Sequence, residues 1–299
     1  MIKLGIDVGN GFTKFKGDRF ASRIKLGSLS ALGNKRKEAH AVILNDKEYI
    51  AGVGGTFTGH DRYFTEEYKL ALLTAIALSS GKRRKTIEAN IVVGLPVDYH
   101  KSLSDKLEKH LKNLDVQEIK VDGTKYTIEI KNATVFLEGA LPILEGDDSH
   151  MITIDVGAGT INVIEWEEQT IINKFTFNKA FYALNKDIAE FLNVKFGLDL
   201  LPEDAERYIG KAVIDTEDGE TEVPELEEMV SNFIADIATT VRNNFHVKTC
   251  KKIKVLGGGA KNTFPFWKEQ FKKAELVKDS QFINQKVYQA VAESIYDEE

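Results

Sequence analysis

Met151-Ile152-Thr153-Ile154-Asp155-Val156-Gly157-Ala158-Gly159, in the middle of the chain, nearly repeats Lys3-Leu4-Gly5-Ile6-Asp7-Val8-Gly9-Asn10-Gly11 at its start. In each, an apolar run supplies a buried strand that ends in Asp-x-Gly-x-Gly. The two glycines let the following turn bring backbone N–H groups close to a phosphate, and an aspartate fixed at the strand end can face a hydrated cation. Asp7 and Asp155 stand 148 residues apart, so the chain reads as a duplication. Two such loops could clamp one nucleotide from opposite sides.

Working outward, 299 residues are enough for two lobes with real cores. A formal charge of -6 gives no electrostatic reason for direct nucleic-acid binding, which normally shows as a basic excess. The basic runs Lys35-Arg36-Lys37 and Lys82-Arg83-Arg84-Lys85 fall between elements and lack interleaved aromatics, so they read as solvated loops. Cys250 is the one cysteine, which excludes an internal disulfide, points to a reducing compartment and reads as structural. The chain opens directly into its first strand without a leader pattern, and its longest apolar stretch, 70–78 with Thr74 inside, suits a buried helix rather than a membrane span. The expectation is a cytoplasmic protein with no membrane partner.

The first half reads as strands at 2–8, 12–16 and 20–26 with Gly17-Asp18 as a turn, a polar stretch at 27–40, and a hairpin around Asn45-Asp46. A glycine cluster at 52–55 precedes a helix at 65–79. A strand at 88–94 ends in Gly94-Leu95-Pro96 before a helix at 98–111. Strands 116–121 and 126–130 pair through Asp122-Gly123, a short strand covers 133–136, and 138–144 reads as a helical connection. The second half repeats the opening with strands at 151–156, 160–166 and 170–177. Helices at 181–196, 202–209 and 225–245 follow, with a weak hairpin through Asp218-Gly219. A strand at 252–256, the loop Gly257-Gly258-Gly259-Ala260, and helices near 264–272 and 287–295 close the chain. The expected division is a first lobe at 1–145 with a peripheral subdomain at about 20–75, and a second at 146–299 with one at about 180–245.

A tight structural turn explains a lone Asp-x-Gly-x-Gly as well as a nucleotide site does. Four features in order, residues 7–14, Glu138, residues 155–160 and residues 257–260, each after an expected strand, are harder to obtain by chance. Together they resemble the actin-like ATPases, and within them the bacterial ParM/StbA-type filament proteins. Asp7-Val8-Gly9-Asn10-Gly11-Phe12-Thr13-Lys14 resembles the first phosphate loop, Asp155-Val156-Gly157-Ala158-Gly159-Thr160 the second, and Val255-Leu256-Gly257-Gly258-Gly259-Ala260 the adenosine loop. Val92 to Val97 and Val135-Phe136-Leu137-Glu138-Gly139-Ala140 also resemble that branch, the latter as a connecting helix with a water-positioning acid. The likeness runs nearly end to end. It implies an α/β, two-lobed actin-like fold (duplicated, ribonuclease-H-like) around a central nucleotide cleft.

The resemblance also implies roles. Asp7 and Asp155 would hold Mg2+ through water, and Lys14 would neutralise β/γ-phosphate charge. Gly9, Asn10, Gly11 and Phe12, with Gly157, Ala158, Gly159 and Thr160, would line the phosphates of ATP, with GTP left open. Glu138 would orient the attacking water, Asn162 would be a second polar group near it, and Gly257, Gly258, Gly259 and Ala260 would pack on the adenosine. Glu203, Arg207 and Lys211 have i, i+4 spacing, which on a short helix reads first as a solvated, salt-bridged face, with Arg207 or Lys211 beside the nucleoside as the alternative. Phe177-Asn178-Lys179-Ala180 lacks the glycine that relatives often carry, leaving local geometry open.

Three functions share such a core. A filament-forming ATPase that segregates plasmid or phage DNA, partnered by itself and by a DNA-binding adaptor at the filament end, fits an acidic chain. An ATP-dependent small-molecule kinase is the alternative, but no acceptor-binding set stands near the second loop. A chaperone-like switch is disfavoured, because only about forty residues follow the adenosine loop.

Overall fold

The computed structural model describes residues 1–29, 38–216 and 219–296. The triplet Lys35-Arg36-Lys37 and the turn residue Asp218 lie outside the described residues, whereas Lys82, Arg83, Arg84 and Lys85 are all exposed in a connection. The chain divides into two compact units, Met1–Leu144 with Phe282–Glu299, and Glu145–Gln281.

The first unit begins with β1 (Ile2–Val8), β2 (Phe12–Phe15), β3 (Asp18–Ala21) and β4 (Arg23–Leu26). Ser22 separates the last two, where one strand over 20–26 was expected. β5 (His40–Leu44) and β6 (Lys47–Ala51) turn through Asn45 and Asp46, both at positive φ as a tight two-residue hairpin demands. β7 (Gly55–Thr56) and a 3-10 turn (His60–Phe64) lead to α1 (Glu66–Ser80), capped by the Thr65 hydroxyl. α1 is buried on nearly every side from Leu70 to Ala77. Its all-round apolarity is what the interior of a domain requires. β8 (Thr86–Leu95), α2 (Val97–Lys112), β9 (Gln117–Val121), β10 (Thr124–Leu137) and α3 (Leu141–Glu145) follow. Residues 126–130 and 133–136, expected as separate strands, are one long β10 with an irregularity between Ile130 and Asn132. All ten strands form one mixed sheet in the order β3-β2-β1-β8-β10-β9-β5-β6-β4-β7, with β1, β8 and β10 parallel at its centre. β8 is buried on both faces from Ala89 to Val93, as a central parallel strand is.

The second unit holds β11 (Met151–Val156), β12 (Ile161–Glu167), β13 (Thr170–Phe177), α4 (Phe181–Phe196), α5 (Pro202–Ala205), a 3-10 turn (Glu206–Tyr208), β14 (Val213–Thr216), β15 (Gly219–Glu222) and α6 (Glu225–Asn244). β16 (Lys252–Leu256), α7 (Ala260–Gln270) and β17 (Ala274–Leu276) complete it. A five-stranded sheet has the order β13-β12-β11-β16-β17. The α6 stripe of Leu226, Val230, Ile234, Ile237, Ala238 and Val241 is buried. Each of its larger aliphatics contributes about 1.5–3 kcal/mol by leaving water. Cys250 is buried in the same core, its thiol pushed up by burial, in keeping with a structural role.

α8 (Ile283–Ile295) then returns to the first unit and packs on β1. Gly5 leaves room for it: a Cβ there would lie 2.0 Å from the Gln289 backbone nitrogen. The expected boundary at 145/146, with everything after it in the second lobe, therefore misses residues 282–299. Among the described residues no helix is long and apolar enough to cross a membrane.

Candidate functional site

In the first unit the carboxyl ends of three adjacent parallel strands carry Asp7 and Val8 (β1), Leu95 (β8) and Leu137 with Glu138 (β10). Open α/β sheets offer their ligand sites at such ends. The turn after β1 closes with Gly9 N–H donating to the Phe12 carbonyl at 3.1 Å. Neither Gly9 nor Gly11 has positive φ, so the requirement at Gly9 is space: a Cβ would stand 3.0 Å from the Phe12 oxygen and 3.7 Å from Lys14 Nζ. Asp7 and Lys14 face each other across the hairpin, and Lys14 Nζ donates to Asp7 Oδ2 at 2.7 Å with both side chains buried. An ammonium has three donors, so Lys14 can hold Asp7 and still offer N–H to a phosphate.

Glu138 is not on the connecting helix. It sits in a turn between β10 and α3, its N–H donating to the Leu95 carbonyl at 2.9 Å. Gly139 follows at φ 82°, and its N–H donates to Asn284 Oδ1 of α8 at 2.9 Å. The Glu138 side chain is buried, at 8% exposure. The returning α8 thus holds the turn that carries the acid.

One residue that the sequence reading passed over is Arg62, on the 3-10 turn before α1. It is 3% exposed, and its Nη2 donates to the Val8 carbonyl at 2.7 Å. Its guanidinium lies 4.5 Å from the centre of the Tyr63 ring. Burial pushes the Tyr63 hydroxyl up to about 12, against the pull of the Arg62 charge. No motif surrounds Arg62 in the sequence; only the tertiary fold brings it to the end of β1.

The second unit repeats the hairpin. Asp155 and Asn162 face each other in the register that joins Asp7 to Lys14, and Asn162 Oδ1 accepts from the Thr176 hydroxyl at 2.9 Å. Asp155 is buried, at 3% exposure. Gly157 N–H donates to the Thr160 carbonyl at 3.0 Å, and a Cβ on Gly157 would lie 2.7 Å from that oxygen. β11 and β16 are parallel, so both glycine loops leave carboxyl strand ends side by side. Their contact is direct: Gly259 N–H donates to the Val156 carbonyl at 2.9 Å, and a Cβ on Gly257 would stand 2.3 Å from Asp155 Oδ1. The Tyr182 N–H at the start of α4 donates to the Ala158 carbonyl at 2.8 Å. The stretch 177–180 has no residue at positive φ, so the missing glycine has no conformational consequence.

Ala260 is the first residue of α7, which starts four residues before the expected position and contains Pro265. Arg207 and Lys211 are exposed and do not share a helical face, because helical structure ends at Tyr208. Their segment lies against the first turn of α7: a Cβ on Gly210 would be 3.3 Å from the Asn262 carbonyl. The first unit therefore gathers Asp7, Gly9, Lys14 and Glu138, and the second gathers Asp155, Asn162, residues 157–160 and residues 257–260. Among the described residues no cluster of three or more His, Cys, Asp or Glu side chains could hold a metal alone.

Residues 5–140 match the family model described as the actin-like proteins N-terminal domain. No curated protein matches the chain in sequence. Among solved structures, an archaeal actin homolog superposes with TM-score 0.81 at 17% identity, covering 98% of this chain and 100% of that one. The same homolog in complex with ADP gives TM-score 0.79 at 18% identity over 98% and 100%. A subunit of a 15-stranded ParM filament from Clostridium botulinum gives TM-score 0.79 at 21% identity over 99% and 100%. The two-unit α/β architecture is thus the actin-like fold over the whole chain.

Proposed function

We propose that this actin-like protein binds ATP with Mg2+, hydrolyses it, and couples the cycle to assembly into filaments that segregate or position DNA in the cytoplasm. The observation that carries the reading is the pair of matched hairpins, each ending a buried strand with an aspartate, a phosphate-sized turn and a polar partner across the register. In the first unit the backbone of Gly9, Asn10, Gly11 and Phe12 lines phosphate oxygens and Lys14 offsets their charge. In the second, Gly157, Ala158, Gly159 and Thr160 do the same, and Gly257, Gly258, Gly259 and Ala260 pack on the nucleoside, with Arg207 and Lys211 nearby.

Mg2+ dehydrates reluctantly and binds through one or two carboxylates, waters and substrate phosphates, so Asp7 and Asp155 suit it without a protein cage. The ion supplies charge neutralisation across the phosphates. Glu138, held by Leu95 and, through Gly139, by Asn284, orients the attacking water, and Asn162 contributes a second polar contact. The reading of self-assembly is supported by the filament subunit among the solved relatives. A small DNA-binding adaptor at the filament end would connect an acidic filament to its cargo.

The test follows light scattering, sedimentation and phosphate release together, with ATP, ADP or a slowly hydrolysed ATP analogue, with and without Mg2+. The expected result is Mg2+-dependent polymer with ATP and with the analogue, and phosphate release that needs no acceptor. Saturating nucleotide with persistent monomers, or phosphate transfer only to an added small molecule, would overturn it in favour of a kinase.

A further inference from the structure

The basic run Lys82-Arg83-Arg84-Lys85 has no part in the site described above. It joins the end of α1 at Gly81 to the start of β8 at Thr86, and all four side chains are exposed. Its base is fixed, because the Lys85 carbonyl accepts from the Thr127 N–H of β10 at 2.8 Å. Lys69 and Lys254 pair with Glu66 and Glu275, but among the described residues no acid pairs with any of these four cations. Adjacent like charges repel one another, and an acidic partner surface relieves that repulsion.

A surface of that kind lies on the second unit. Asp187, Glu190, Phe191, Val194 and Lys195 recur at steps of three and four residues, so they share a face of α4 that flanks its buried stripe of Leu184, Ile188 and Leu192. With Glu225 at the start of α6 they line an open groove of about 620 Å3. Val194 is 87% exposed there, so the groove has an apolar floor and three carboxylates at its rim. Lys195 shows what such a groove suits: its Nζ donates to Glu225 Oε1 at 2.5 Å and lies 5.3 Å from the centre of the Phe191 ring. Asp187 and Glu190 pair with Lys179 at 3.6 Å and Lys186 at 3.5 Å, exposed contacts that an incoming cation displaces at little cost. An entering arginine can lay its aliphatic stem on Phe191 and Val194 and set its planar fork against a carboxylate.

We propose that the groove receives the Lys82–Lys85 turn of a second copy of this chain, and that this is one of the contacts that build the filament. This rests on the filament reading above. A chain with a formal charge of -6 repels its own copies at long range, so their association needs local patches of opposite sign, and this turn and groove are such a pair. The two patches are different surfaces, one on each unit, so the contact runs head to tail and leaves a free turn and a free groove for the next copy.

The experiment reverses the charges. Arg83→Glu with Arg84→Glu makes one variant, Asp187→Lys with Glu190→Lys a second, and all four changes together a third. Each is checked for folding by circular dichroism and for ATP affinity by calorimetry. The critical concentration is then measured by sedimentation with Mg2+ and a slowly hydrolysed ATP analogue. Either double reversal should keep parental ATP affinity and raise the critical concentration at least about tenfold, because it sets like charges face to face. The fourfold variant, and an equimolar mixture of the two double variants, should return toward the parent's value. In a separate arm, one batch of protein carries Arg84→Cys and another Glu190→Cys. Mixed under the same conditions, they should join through a short bismaleimide, while the parent, whose Cys250 is buried, should not.

A parental critical concentration in either folded double variant overturns the proposal while leaving the filament reading intact. A rise that neither the fourfold variant nor the mixture relieves also overturns it, since the two patches would then meet other surfaces. A parent that forms no polymer removes the filament reading instead. The crosslink then decides the contact: a joined pair at high protein concentration supports it, and none overturns it. The same arm decides should a reversal not fold.

Discussion

The two Asp-x-Gly-x-Gly hairpins share a backbone and differ in the residue across from the aspartate. In the first, Asp7 meets Lys14 at 2.7 Å, a buried ion pair. In the second, Asp155 meets Asn162, which is neutral and accepts a hydrogen bond from Thr176. The Asp155 side also receives the glycine loop after β16, where a Cβ on Gly257 would stand 2.3 Å from Asp155 Oδ1. The duplication kept the hairpin geometry and divided the chemistry, with a fixed cation across from the aspartate in one copy and a neutral polar partner in the other. A buried ion pair contributes little net stability, but breaking it by removing one partner is costly because a lone charge remains.

The largest expected effect follows from that asymmetry. Lys14→Met leaves Asp7 buried without its cation, so urea unfolding should show a loss of about 3–5 kcal/mol. Asn162→Leu, which removes a neutral partner, should cost only about 1–3 kcal/mol. Adding Asp7→Asn to Lys14→Met should recover much of the loss. ATP affinity in Lys14→Met should fall at least about tenfold, or about 1.4 kcal/mol. Equal destabilisation by Lys14→Met and Asn162→Leu would break the comparison.

The next effect is steric. Gly257 is at φ 94° and a Cβ there would stand 2.3 Å from Asp155 Oδ1, whereas the nearest atom at Gly9 is 3.0 Å away and its φ is not positive. Gly257→Ala should cost about 1–3 kcal/mol from strain alone and displace the Asp155 carboxylate. Gly9→Ala should be milder in denaturant yet weaken nucleotide binding, because the added methyl stands 3.7 Å from Lys14 Nζ. If calorimetry gave Gly9→Ala parental affinity, the first turn would not be the phosphate contact.

What the sequence made legible in these regions is local chemistry. The apolar run, the aspartate and the paired glycines lie within ten residues of each other, and Asn45-Asp46 announces its own turn. The rest depends on partners far along the chain. Gly5 resembles a strand defect until Gln289, 284 residues later, is found donating to and accepting from its neighbourhood. Glu138 reads as helical because Ala140 to Leu144 suit a helix, but the β10 ladder with β8 runs through Leu137 and Gly139 takes positive φ. The helix expected near 264–272 starts earlier, at Ala260, because the chain turns helical directly from the Gly259 contact with Val156. Arg62 carried no signal, since a lone arginine beside aromatics resembles any surface turn.

The smallest prediction separates stability from chemistry in the two copies. Each hairpin has a buried hydroxyl tie near its end: Thr13 Oγ1 with Ser22 Oγ at 2.9 Å in the first, and the Thr176 hydroxyl on Asn162 Oδ1 at 2.9 Å in the second. Both lie in the interior, so Ser22→Ala and Thr176→Val should each cost about 0.5–1.5 kcal/mol, the net worth of one such bond. Their consequences for turnover should differ. Ser22 bonds a threonine that is not among the proposed site residues, so its loss should leave phosphate release unchanged once the small stability loss is offset by lower temperature. Thr176 orients the amide of a residue proposed to face the attacking water, so Thr176→Val should lower turnover several-fold at constant ATP affinity. Equal turnover in the two variants would reduce Asn162 to a structural residue and leave Glu138 as the sole water-positioning group.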